Sequence, residues 1–261
     1  MIGITGCSGT LGRLVRERLA VRSGESCCFE GDLRSDADVR AWVRDVRPTR
    51  VVHLAALVPL DQVAADPLAA FDVNVLGTAR LLGALGGLGT APWMFYASTS
   101  HVYASHDRPI GEDDTVEPQN TYGETKHLAE QLVLFHARYG AVRACVGRIF
   151  SFYHASQSKP FLYPSIVERL ASHDAPKPFR LRGGNNIRDL SSAEQVVEAI
   201  LRLMERECEG VVNIGSGVGT RIADFVRGLS DEELNIEVPA DDPVTCLVAD
   251  VSRLRSLVDH V

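Results

Sequence analysis

Up to Phe150, apolar positions follow two alternating rhythms. Short apolar runs, "IGIT", "CCF", "RVVHLAAL", "WMFYAS" and "AVRACVGRIF", read as strands. Between them apolar residues recur at helical spacing from Leu11 to about Arg22, from Asp36 to Val46, from about Pro67 to Leu85, and from about Tyr122 to Tyr139. Strands separated by helices of this length imply right-handed crossovers, hence a doubly wound α/β architecture with a parallel sheet between two helix layers. Ligands of such sheets sit beyond the carboxyl ends of the strands, so the loops after "RVVHLAAL" and "WMFYAS" should border one crevice.

After Phe150 the rhythm breaks into segments rich in Pro, Gly and Asn, "SKPFLYPSIVERLASHDAPKPF" and "RLRGGNNIRD". A small C-terminal substrate lobe is expected from 151–187 and 216–261. Residues 188–215 return to the first unit (1–150), with "SSAEQVVEAILRLME" as a helix and "GVVNIGS" as a strand. No internal repeat or low-complexity tract interrupts this plan.

Composition narrows the function classes. With 261 residues, 45% hydrophobic and 23% charged, the chain has ample material for a core. No apolar run reaches the roughly 18 residues that span a membrane, and "MIGITGCSG" reads as a strand entering a loop, not a signal peptide. A cytoplasmic protein without a membrane partner is expected. The net charge of −7, without a dense basic stripe, argues against nucleic acid as a partner. The six cysteines (Cys7, Cys27, Cys28, Cys145, Cys208, Cys246) form no C-x-x-C pair and have no His at ligand spacing. Neither a metal site nor a disulfide framework is indicated, and they read as reduced packing residues.

The first motif is "TGCSGTLG". Gly6 permits a tight turn, Gly9 lets backbone approach a pyrophosphate at a helix N-terminus, and Gly12 lets the helix pack close to the sheet. The spacing is G-x-x-G-x-x-G, which departs from the G-x-G-x-x-G fingerprint. Glu30 is the candidate acid for ribose hydroxyls, and Arg13 and Arg34 are the nearby bases for a 2′-phosphate; the choice between NAD and NADP stays open.

The second motif joins "TSHVY" to "TYGETK". Tyr122 and Lys126 lie one helical turn apart on one face. A nearby ammonium favours the phenolate and should lower the pKa of a Tyr122 acid-base catalyst. Thr99 can hydrogen-bond the oxygen of a carbonyl whose carbon accepts or gives a hydride.

In "TGCSGTLG", "GDL", "VVHLAAL", "DVNVLGTARLL", "STSHVY", "YGETK", "GRIFSFY", "IRDLSSAEQV" and "VVNIGSG", the chain resembles the extended short-chain dehydrogenase/reductases. Within them it resembles the NAD(P)-dependent epimerase/dehydratase group that acts on nucleotide sugars, which have a Rossmann fold. The resemblance implies that Gly6, Gly9, Leu11, Gly12, Leu54, Ala55 and Ala56 line the cofactor groove, that Asp32 and Leu33 touch adenine, and that Asn74 buttresses the site. It implies a triad of Thr99, Tyr122 and Lys126, with Lys126 also holding the nicotinamide ribose. Asp32 has an alternative role as a helix cap before "RSDADV".

Departures from the family pattern sharpen the reading. Dehydratases of this group carry Asp-Glu after the catalytic Thr; here Ser100 and His101 stand there, so 4,6-dehydration is not expected. Fucose-synthase-like reductases place an acid-base residue at the position of His101, so His101 is either such a base or a bystander beside the cofactor. His53 is expected to be structural or cofactor-side. Ser151 replaces an Asn that contacts sugar or diphosphate, and Arg188 either contacts a diphosphate or pairs structurally with Asp189. The expected function is an NAD(P)-dependent oxidoreductase or epimerase of a nucleotide-linked sugar, reducing a 4-keto-6-deoxy sugar by hydride transfer. A dinucleotide-sensing protein of the same fold without catalysis is the alternative. A homodimer is possible through Leu128, Leu132 and Phe135, though packing on the chain's own sheet explains the same stripe.

Overall fold

The computed structural model describes residues 1–22, 25–174 and 177–258. Ser23 and Gly24 in the expected first unit, Ala175 and Pro176 in the expected small lobe, and its last residues 259–261 therefore lie outside the described residues. The main sheet contains β1 (Ile2–Thr5), β2 (Ser26–Cys28), β3 (Arg50–His53), β4 (Trp93–Thr99), β5 (Arg143–Ile149) and β9 (Gly210–Ile214), in the order β2-β1-β3-β4-β5-β9. Every pairing in it is parallel. The connecting helices are α1 (Thr10–Val21), α2 (Asp36–Val46), α3 (Leu60–Ala65), a continuous helical stretch of α4 (Pro67–Phe71), a π turn (Asp72–Leu76) and α5 (Gly77–Gly86), then α6 (Thr121–Arg138). α8 (Ala193–Glu205) leads into β9.

The side-chain alternation of β4 builds both halves of the core. Trp93 and Phe95 join Val15 and Leu19 of α1 and Ile200 of α8 on one face of the sheet. Met94 and Tyr96 join Val39 and Val43 of α2, Leu81 and Leu85 of α5 and Val133 of α6 on the other. Successive strand residues point to opposite faces, so one central strand supplies two cores.

The sequence reading extends β3 to Leu57, but the strand ends at His53. From Leu54 the backbone turns away to form the wall of a cleft, and α3, which the periodicity did not suggest, follows at once. The stretch Pro67–Gly86 also corrects an expectation: it is long and apolar enough, by composition, to cross a membrane. Its apolar face packs on α2 and α6, as the core helix of a globular unit does.

The smaller part is built on β8 (Ile187–Ser192), which pairs with β6 (Ser151–Tyr153), with β10 (Gly219–Arg221) and with β12 (Cys246–Leu247). α7 (Leu162–Ala171), β7 (Phe179–Arg180), α9 (Ile222–Arg227) and β11 (Ile236–Glu237) enclose its own core around Ile166, Phe179 and Ile222. α10 (Ser252–Val258) packs back on α8 and β9. Residues 187–192 therefore belong to the small sheet, while α8 and β9 return to the large unit, as does α10.

The reading of all six cysteines as reduced is corrected by a disulfide between Cys7 and Cys28. Cys28 lies beside Ile4 in the parallel register of β1 and β2, and the glycine loop carries Cys7 back over that strand end, leaving the two Cα atoms 6.1 Å apart. Only the strand register brings them together, which is why linear spacing gives no sign of it. The bond closes a separation of 21 residues, which in the loop-entropy description corresponds to about 3 kcal/mol. Cys7→Ser is expected to lower the free energy of urea unfolding without reductant by that amount, with a correspondingly lower midpoint, and adding a dithiol to the wild type should reproduce the shift. An unchanged midpoint in both experiments would contradict the bond.

Candidate active site

Where β1 ends, Gly6 takes φ +76, a conformation that favours glycine, and a Cβ there would stand 2.6 Å from the amide nitrogen of Ala55. A Cβ on Gly12 would lie 2.1 Å from the Gly6 carbonyl oxygen. The loop is thus pressed against both α1 and the segment after β3, leaving bare backbone toward a cleft of about 660 Å³. Gly6, Gly9, Asp32, Leu33, Leu54, Ala55 and Ala56 line this cleft, together with Ser8, Glu30, Gly31, Asp38, Val58 and Val73. Leu11 packs instead against the core, and Gly12 is buried behind the loop. Asp38 and Val73 were missed because helical spacing gives no sign that these positions face a ligand.

Asp32 is not the cap of α2. Ser35 is, its hydroxyl accepting from the Asp38 amide at 3.2 Å. The Asp32 carboxylate instead accepts from the Arg34 side chain at 2.7 and 3.0 Å, which holds it down at about 2. Asp38 accepts in turn from the Asp32 amide at 3.1 Å. Of the two nearby bases, Arg34 is engaged by Asp32, and Arg13 donates to the Ser8 carbonyl and to Ser156.

Asn74 is buried in the π turn and does not line the cleft. Its Oδ1 accepts from the Leu57 amide at 2.7 Å, while Nδ2 donates to the Leu57 carbonyl and to Thr125 Oγ1, each at 3.0 Å. It therefore fastens the cleft wall to α6, a buttress rather than a direct contact. His53 is fully buried between Thr5 Oγ1 (2.6 Å) and Thr78 Oγ1 (3.0 Å), and burial drives its pKa down to about 3. With both nitrogens engaged inside the core and burial disfavouring its charged form, the ring ties Thr5 of β1 to Thr78 of α5.

The two motifs meet where α6 begins against the end of β4. Asn120 caps α6, Oδ1 accepting from the Gly123 amide at 2.9 Å. A Cβ on Gly123 would stand 2.2 Å from the His101 carbonyl oxygen, so this glycine lets the helix touch the 3-10 turn Ser100–Val102. That contact sets the Tyr122 phenol beside the Thr99 hydroxyl, which interacts with it. Thr99 Oγ1 accepts from the His101 amide at 3.2 Å, so the hydroxyl proton is left to donate. The His101 ring lies edge-on to Tyr122, centroids 5.9 Å apart. Ser100 is buried in the turn.

Lys126 is 3% exposed, with Nζ 4.2 Å from the centre of the Tyr96 ring. Burial lowers it to about 7, opposed by the carboxylate of Glu130 one turn on. Burial also pushes the Tyr122 phenol up to about 12, opposed by Thr99. The expected lowering of the phenol by the ammonium is thus not produced by the protein's own groups: loss of water outweighs a cation held over a different ring.

Ser151 and Arg188 lie on adjacent strands of the small sheet. The Arg188 guanidinium donates to the carbonyls of Ile187 and Thr245 and to Thr245 Oγ1, at 2.7 to 2.9 Å. It does not pair with Asp189, which accepts from the amides of Ser216, Gly217 and Ala249. Burial lowers the Arg188 pKa, and its charge reaches His101, whose own pKa falls mainly through burial. Arg188 thus stands near the Thr99–Tyr122 pair as a half-buried cation held by neutral groups.

The displaced Lys126 has a measurable consequence. Its folded pKa lies below its unfolded value, so the cost of burying the ammonium is fully present below about pH 7 and disappears as pH rises toward about 10.5. Lys126→Met is expected to be more stable than wild type at pH 6, with the difference shrinking steadily toward pH 10, measured by urea unfolding at each pH. A difference independent of pH would contradict this placement.

Comparison with known proteins bears on the family and the fold. Residues 2–215 match the profile of the NAD dependent epimerase/dehydratase family. The chain is 28% identical over 263 residues to a GDP-6-deoxy-D-mannose reductase of Pseudomonas aeruginosa, covering 97% of this chain and 86% of that protein. It is 26% identical over 230 residues to a UDP-glucose 4-epimerase of Rhizobium leguminosarum bv. trifolii, covering 81% and 70%. Among solved structures, RMD from Pseudomonas aeruginosa complexed with NADPH superposes with a TM-score of 0.88 at 24% identity, over 98% of this chain and 91% of that one. The Thermus thermophilus UDP-glucose 4-epimerase in complex with NAD gives 0.85 at 22%, over 98% and 92%. The superpositions bear on the fold, and the sequence match decides the membership: the chain belongs to the NAD dependent epimerase/dehydratase family.

Proposed function

We propose that this protein is an NAD(P)-dependent reductase that acts on a nucleotide-linked 4-keto-6-deoxy sugar. The observation that carries the reading is the meeting of the buried Tyr122 phenol with the Thr99 hydroxyl at the strand ends beside the glycine-loop cleft. The crowded glycine turn, which a Cβ would fill, fits a dinucleotide's pyrophosphate lying against bare backbone. When bound, the nicotinamide supplies the hydride.

The protein's own groups then have distinct tasks. Thr99 donates a hydrogen bond to the substrate carbonyl and polarises it. A phenol at about 12 keeps its proton at neutral pH, so Tyr122 can deliver it to the oxygen as negative charge develops there. Lys126, buried one turn further on, would bind the nicotinamide ribose and bring positive charge beneath the site. Arg188 would meet the diphosphate of the nucleotide, with Ser151 on the neighbouring strand beside the sugar. With Ser100 and His101 following Thr99, no carboxylate stands there to expel water in a 4,6-dehydration. The two GDP-6-deoxy sugar relatives, a mannose reductase and a talose 4-dehydrogenase, support the choice of substrate class.

A second reading, epimerisation through a transient ketone, draws support from the UDP-glucose 4-epimerase relatives. The same Tyr122 and Thr99 would serve it, with the hydride returned to the opposite face.

Tyr122→Phe is expected to reduce oxidation of NADPH or NADH by a panel of nucleotide-linked 4-keto-6-deoxy sugars by about 10²-fold or more, while dinucleotide affinity stays within a few-fold of wild type. Retained turnover would remove Tyr122 from the mechanism. Tight dinucleotide binding with no consumption by the wild type across the panel would favour a sensor instead.

A further inference from the structure

The side chain of Asn120 touches two partners whose chemistry fixes how it is oriented. The Gly123 backbone N–H can only donate, so the Asn120 atom facing it at 2.9 Å must be the carbonyl Oδ1. The NH2 group is then the atom facing His101 Nδ1 at 3.2 Å. An amide NH2 has only hydrogens to offer, so His101 Nδ1 must accept. In the neutral ring the proton then resides on Nε2, which has no hydrogen-bond partner among the described residues and is not sealed in the interior.

Its surroundings keep the ring neutral. The groups around it are the Tyr122 phenol, edge-on at 5.9 Å, the Asn120 amide, and the Arg188 cation reaching it from the small sheet. No carboxylate is among the groups acting on it, and burial and Arg188 both disfavour an imidazolium.

We propose that Asn120 is a positioning residue that locks His101 as the Nε2–H tautomer, so that His101 presents a hydrogen-bond donor to the substrate beside Thr99 and Tyr122 and does not act as a base. A base needs a free lone pair directed at the substrate, and the ring's one lone pair is occupied by Asn120. The site therefore directs three donors, from Thr99, Tyr122 and His101, at an oxygen-rich ligand, and His101 offers no free lone pair to remove a carbon-bound proton next to a ketone. This rests on the reading of Thr99 and Tyr122 as the reacting site and refines it: substrates are selected by hydroxyl or carbonyl acceptors near the reacting carbon, and that carbon's neighbours keep their configuration.

Nitrogen-15 histidine NMR of the full chain tests the tautomer without substrate. His101, assigned by its loss in His101→Gln, should show the Nε2–H pattern in its neutral form, at pH 7 to 8. Asn120→Asp keeps a good helix cap but turns an acceptor toward the ring, so it should move the proton to Nδ1 or charge the ring. Unchanged circular dichroism and dinucleotide affinity would show that the variant is folded. A wild-type Nδ1–H pattern, an imidazolium at pH 7, or an unmoved signal in a folded Asn120→Asp would overturn the proposal.

His101→Gln supplies the kinetic arm, since its amide can place an N–H near the position of Nε2 but cannot serve as a base. With nucleotide-linked 4-keto-6-deoxy sugars as probes, turnover should stay within roughly tenfold of wild type, where loss of a general base would cost about 10² to 10⁴-fold. Such a loss would overturn the donor role. If Tyr122→Phe remains active while the Nε2–H pattern is present, the reading of the reacting site fails and the tautomer lock stands.

Discussion

The close approach of Gly123 to the carbonyl of His101 is the constraint on which the site depends. No side chain larger than hydrogen fits there, because a Cβ would stand 2.2 Å from that oxygen. The approach docks the first turn of α6 against the end of β4, and this sets Tyr122 beside Thr99. Two polar anchors hold it. Asn120 closes the helix end from outside, and Asn74 joins Thr125 of α6 to the backbone of Leu57. The second anchor also ties α6 to the cleft wall, so Tyr122 and the glycine-loop cleft share one scaffold.

Deeper in the fold, buried charge fixes α6 against the sheet. Glu130 has no exposed surface and accepts from Arg148 of β5 at 2.9 and 3.1 Å. Arg148 also donates to the Tyr103 hydroxyl at 2.7 Å, which donates to Asn213 of β9 at 2.9 Å. Removing one member of such a chain leaves an uncompensated polar group in a dry interior, so the network favours a single placement of the helix. It also puts a carboxylate one turn beyond Lys126, which favours the ammonium form that burial opposes.

Much of this was legible in the amino acids because the signals are local. Gly6 and Gly12 mark the turn by needing absent side chains, and Tyr122 and Lys126 share a face by helical geometry alone. The chain order of apolar strands and amphipathic helices carries the parallel sheet in the same way. What was not legible depends on register and burial. The Cys7–Cys28 bond appears only once β1 and β2 are aligned, the end of β3 at His53 follows from the turn that forms the cleft, and the apolar length of Pro67–Gly86 is explained by what covers it. The pKa direction of Tyr122 was misjudged for a similar reason, since sequence spacing places an ammonium nearby but does not reveal how completely both groups leave water.

The central claim is that Thr99, Tyr122 and Lys126 form a hydride-transfer site for a sugar ketone. The most direct measurement is transfer of label from NADH or NADPH deuterated at the nicotinamide C4 to a nucleotide-linked 4-keto-6-deoxy sugar, read by mass spectrometry and NMR of the product. The account predicts one deuterium, on the former carbonyl carbon, in a single configuration, with the adjacent carbons unlabelled when the reaction is run in D2O. Solvent deuterium on those adjacent carbons, or product formed without label from the cofactor, would contradict it.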